Sequence, residues 1–93
     1  MVKRVDITEE ENKNVERLYF KYLSYMNMLQ YLADQGSTAT DIYNEKWNEA
    51  SQLWIDLEKI KQATEIKYKP KGNWDRYEFD FNNTQMVFIN NGE

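Results

Sequence analysis

The chain has no cysteine and no histidine among its 93 residues. Without cysteine there is no disulfide and no thiolate nucleophile. Zinc wants Cys or His at tight spacing, so a zinc site of that kind is excluded as well. A nucleophilic serine needs a positioned base, and Ser24, Ser37 and Ser51 have none in evidence. Glycine occurs three times, each time alone, so no glycine-rich loop is present to cradle a phosphate. No long apolar run exists. The uncharged stretch YLSYMNMLQYLA at 22–33 is closed by Lys21 and Asp34 and is too short and too polar to span a bilayer. The opening MVKRVDITEEE follows Lys3 and Arg4 with acids rather than an apolar segment, so it does not read as a secretory signal. These absences point to a cytoplasmic protein without cofactor, metal or membrane contact. They leave few tools for catalysis, and the expectation is that the protein is not an enzyme. Asp75 with Glu78, or Asp80 across a turn, are the carboxylates closest to an acid–base pair; solvated strand charges are the simpler reading. Asp80-Phe81-Asn82-Asn83 offers oxygen ligands but no turn glycine or distal glutamate, so it reads as a turn and not a calcium loop.

What is present is aromatic and charged. Aromatics make up 15% and hydrophobic residues 41%, enough for a globular domain of this length with a modest core. The net charge is −4, unevenly distributed. Residues 59–76 hold six cations (Lys59, Lys61, Lys67, Lys69, Lys71, Arg76) against Glu65 and Asp75, so the remainder is strongly acidic. The overall sign disfavours non-specific binding to nucleic acid.

Periodicity divides the chain into a helical part and a β part. Thr8 and Glu11 form a capping box, and three acids in the first turn suit the positive helix end. The first helix is expected over about 8–35, with Gly36 in the left-handed C′ position. Val15, Leu18, Tyr19, Tyr22, Met26, Leu29 and Ala33 share one face at helical spacing and form a core seam. A second helix is expected over about 39–63, capped by Thr38, with Tyr43, Trp47, Ala50, Trp54 and Leu57 along its buried stripe. Pro70 and Gly72 limit it, and residues 65–69 read equally as frayed helix or strand. A short connection between two long amphipathic segments implies an antiparallel hairpin. Then the period changes. Tyr77, Phe79 and Phe81 alternate with charged residues, and Gln85–Ile89 is apolar on both faces. A turn at Asn82-Asn83, chosen because Asn tolerates positive φ, would pair Phe79 with Met86 and Tyr77 with Phe88. The fold class is therefore α+β. A long antiparallel helical hairpin precedes a small C-terminal β-hairpin, or a three-stranded meander if 65–69 adds a strand. One domain covers 1–93.

Two stretches carry the functional expectations. The back of the first helix holds Phe20, Ser24, Asn27 and Tyr31, with Met28 nearby, where a surface helix should show charge. Something covers it: the protein's own sheet, which is the simplest account, a second copy, or a foreign partner. Phe20, Asn27, Met28 and Tyr31 are the candidate partner-binding residues. The second stretch, Lys67, Tyr68, Lys69, Lys71, Trp74 and Arg76, interleaves cations with aromatics as a single-strand or phosphate binder would, although a solubilising turn with Trp74 over the core edge explains it more simply. Trp47 and Trp54, seven residues apart, read as core. The favoured function is a small acidic protein–protein interaction module, an inhibitor or adaptor by analogy with phage-type inhibitors of host proteins. A homodimeric helical protein is the alternative, and weak nucleic-acid binding is third.

Overall fold

Three strands and two helices, β1 (Val2–Asp6), α1 (Glu9–Asp34), α2 (Asp41–Tyr68), β2 (Arg76–Asp80) and β3 (Gln85–Ile89), make up the computed structural model, which describes residues 1–92. They fall into two compact units: Met1–Glu16 together with the chain from Ile60 onward, and Arg17–Lys59.

The helix ends follow local chemistry. At the start of α1 the Thr8 hydroxyl accepts from the Glu11 N–H at 3.1 Å, and the Glu11 carboxylate accepts from the Thr8 N–H at 2.9 Å. This is the capping box expected from the sequence. At its end Gly36 takes φ +75°, Gly36 N–H donates to Ala33 and Ser37 N–H to Leu32. That pair of bonds is a Schellman motif, which closes the orphan carbonyls of the last turn.

The α2 cap differs from expectation. Thr40, not Thr38, supplies it: its hydroxyl accepts from Tyr43 N–H at 3.1 Å and donates to the Ser37 carbonyl at 2.8 Å. Residues 37–40 form a turn that spaces the cap two residues further on. The far end also runs past the expected residue 63. Residues 65–68 are helical, and Lys69 N–H still donates to the Glu65 carbonyl at 2.8 Å. Pro70 then stops the helix, because it lacks the N–H and biases Lys69 away from helical geometry.

The third strand is β1, at the opposite end of the sequence from the segment at 65–69. It pairs antiparallel with β3, as β2 does, in the order β1-β3-β2. The central place of β3 explains why it is apolar on both faces: Met86 and Phe88 are fully buried on one side and Val87 nearly so on the other. On the inner face Ile7, Met86 and Phe88 form a core, joined by Val5, Tyr68, Trp74, Tyr77 and Phe79. On the outer face Arg4 bonds Asp80 at 2.9 Å, and the Gln85 amide donates to Asp6 at 2.8 Å.

The β2–β3 register is the expected one, Phe79 opposite Met86 and Tyr77 opposite Phe88. The turn chemistry is not. Residues 81–84 all lie in the turn, and the residue with positive φ is Thr84 at 54°. Four-residue loops are commonly built around a type I turn, and here the Asp80 carboxylate accepts from the Asn83 N–H at 3.2 Å and from its side-chain amide at 2.7 Å. The loop is held to α1 by Asn12, whose amide donates to the Phe81 carbonyl at 2.9 Å.

In the other unit, residues 17–34 of α1 and 41–59 of α2 lie antiparallel as a helical hairpin. Among the described residues of this unit only Leu29, Ala50 and Leu57 are buried.

A β-branched residue at positive φ is strained by about 1–2 kcal/mol, of which a glycine loses part again through backbone entropy. Thr84→Gly is therefore expected to raise the unfolding free energy by roughly 0.5–1 kcal/mol, measured by urea denaturation. A loss of stability would show that the Thr84 side chain, not its backbone, matters at this turn.

Candidate functional site

A pair of helices shares one seam, and α1 carries apolar side chains well outside it. Phe20 is 53% exposed, Met28 41% and Tyr31 64%, and Asn27 is exposed beside them. Within its own unit, the apolar face of the sheet is taken up by Ile7, Tyr68 and Trp74. Ser24, in the middle of this face, donates its hydroxyl to the Phe20 carbonyl at 3.0 Å. Tyr19 lies at the border, its ring 5.4 Å from that of Phe20.

The hairpin has two unlike flanks. On one, Tyr22, Trp47, Ala50, Ser51, Trp54 and Ile55 line a shallow groove of ≈ 310 Å³. The Tyr22 ring sits 5.2 Å from Trp54, and Tyr43 meets Trp47 edge-on at 6.3 Å. Trp47 and Trp54 were expected in the core, yet Trp54 is 46% exposed and Trp47 only slightly less. The seam is centred on Ala50 and Leu57 instead. A small residue there lets two backbones approach closely, which leaves no room between them for indoles two turns apart. Ile55 lies off the periodic stripe of α2, an isolated isoleucine between Trp54 and Asp56, and that isolation is its one mark in the sequence.

On the other flank Lys46 bonds Glu49 at 3.2 Å, beside Lys21, Tyr25, Gln52 and Asp56. The hydrogen bond from the Tyr25 hydroxyl to Glu49 raises the phenol's pKa and, with the Lys46 bond, lowers that of Glu49. This flank is a solvated network of opposite charges.

The basic-aromatic stretch is brought together differently from a stacking platform. Tyr68 and Trp74 are half-buried against the core, Trp74 packing edge-on at 6.1 Å from Phe88 and donating its indole N–H to the Pro70 carbonyl at 3.2 Å. Lys67 bonds Glu11 at 2.8 Å and Arg76 bonds Glu78 at 3.1 Å. Lys69 and Lys71 are exposed. No group of three or more His, Cys, Asp or Glu among the described residues is placed to hold a metal ion, and no described helix is long and apolar enough to cross a membrane. No family model, curated protein or solved structure matches the chain.

Glu11 is the most perturbed carboxylate described. Partial burial works to raise its pKa, but bonds from Lys67, from the Tyr68 hydroxyl at 2.5 Å and from Thr8 together outweigh it, and the value falls from 4.5 to about 2. A carboxylate with a depressed folded pKa stabilises the fold above its unfolded pKa, and that contribution is lost as pH falls toward the folded value. Thermal stability is thus expected to drop between about pH 4.5 and pH 2. In Glu11→Gln the drop over this range should be smaller, with lower stability at pH 7. Parallel melting curves of the two proteins across pH would check this, and an equal acid loss in both would refute the assignment to Glu11.

Proposed function

We propose that the protein is a non-enzymatic protein–protein interaction module, an adaptor or inhibitor, that docks its helical hairpin onto a partner. The observation that carries this reading is the groove of Tyr22, Trp47, Trp54 and Ile55, an exposed apolar surface on a chain that is otherwise 30% charged. Exposed apolar patches rimmed by polar residues mark interaction surfaces, and tryptophan and tyrosine dominate binding hot spots. A small-molecule site would enclose its ligand and converge several polar groups on it. This groove is shallow, and its lining side chains offer only the hydroxyls of Tyr22 and Ser51 and the indole N–H groups of Trp47 and Trp54. Its mechanism is surface occupancy, with the acidic remainder of the chain selecting the partner by charge.

The test is affinity capture from a lysate of the organism that encodes the protein, comparing the native chain with Trp54→Asp and Ile55→Asp. Both positions are about half exposed, so helicity by circular dichroism should persist. The expected result is a protein retained by the native chain and lost with either variant. Capture that is indifferent to both substitutions would remove the groove from the binding surface.

A further inference from the structure

The back of α1 has an internal symmetry. Arg17, Phe20, Ser24, Asn27, Tyr31 and Asp34 recur at alternating spacings of three and four, the a/d spacing of a two-stranded helical seam. All six are exposed. Read in reverse, the row complements itself. Arg17 falls opposite Asp34, Phe20 opposite Tyr31 and Ser24 opposite Asn27. We propose that this face binds a second copy of the chain, the two α1 helices packing antiparallel about a two-fold axis between Ser24 and Asn27.

Charge selects this arrangement over the parallel one. Arg17 and Asp34 are the only charges in the row. Parallel pairing would set Arg17 against Arg17 and Asp34 against Asp34. Antiparallel pairing sets opposite charges together at both ends, and a two-fold axis repeats every contact twice. The central layer is polar but satisfiable. The Ser24 hydrogen is already given to the Phe20 carbonyl, which leaves its oxygen to accept from the partner copy's Asn27 amide. A polar layer of this kind fixes register at some cost in stability. The exposed parts of four aromatic rings supply most of the apolar contact, and a single pair of helix faces falls near or below the ~1,200 Å² at which stable interfaces begin. The dimer is therefore concentration-dependent. This inference concerns a different surface from the Trp47–Trp54 groove and does not rest on that reading.

The test is sedimentation equilibrium of the full chain over a wide concentration range, with three charge variants. The native protein is expected to move from the monomer mass of 11.3 kDa toward twice that value. Arg17→Asp and Asp34→Arg should each weaken association on the order of tenfold, since each turns both end contacts repulsive. The double variant R17D/D34R restores opposite charges at both ends and should recover association. A second measurement fixes direction. The chain has no native cysteine, so Ser24→Cys and Asn27→Cys can be oxidised separately and as an equimolar mixture. The mixed disulfide should outrun either homodisulfide. A monomer at every concentration, no recovery in the double variant, or preferential Ser24→Cys self-coupling would each overturn the proposal.

Discussion

Two helices side by side have a single seam, and the hairpin of residues 17–59 has no third element of its own to make another. That constraint governs the surface of the molecule. Each helix can bury one stripe against its neighbour, and the stripe that results is narrow, with Leu29, Ala50 and Leu57 at its centre. Every apolar side chain beyond that width must stand in water. Trp47, Trp54 and Ile55 do so on one flank, and Phe20, Met28 and Tyr31 on the back of α1. Single exposed hydrophobics need no explanation, but grouped ones on one small unit do.

The unit built from the two chain ends solves its own problem differently. Its sheet closes on a core of Ile7, Met86 and Phe88, and Trp74 and Tyr68 seal the edge. Glu11 joins its local elements. One carboxylate caps the start of α1, receives the Lys67 ammonium and accepts the Tyr68 hydroxyl at the end of α2. This use of Lys67 and Tyr68 is structural, and it accounts for two of the six residues in the basic-aromatic stretch without invoking a ligand.

Much of this was legible in the sequence, for identifiable reasons. The capping box, Gly36 and the β2–β3 register rest on local chemistry or on a strict period of two, and both survive folding. The features that were not legible depend on partners distant in the chain. β1 reads Val-Lys-Arg-Val-Asp, mostly charged and outward-facing, and becomes a strand because β3 offers it an open edge. The helical extension through residue 68 is fixed by Lys67 and Tyr68 reaching Glu11, 56 and 57 positions away. The tryptophans kept the correct spacing for a core stripe. Their exposure follows from which residues sit at the centre of the seam, and spacing alone does not rank stripe members by depth.

Both proposals require that the surplus apolar surface of the hairpin be covered by another protein or a second copy. Hydrogen exchange read by mass spectrometry at low and high protein concentration tests it most directly, because it reports α1 and the sheet separately in one sample. Association through α1 predicts that peptides from 17–34 gain protection as concentration rises, while those from 76–89 keep theirs unchanged. Equal exchange in 17–34 at every concentration, with no added protein able to slow it, would contradict the account and leave those aromatics as ordinary surface.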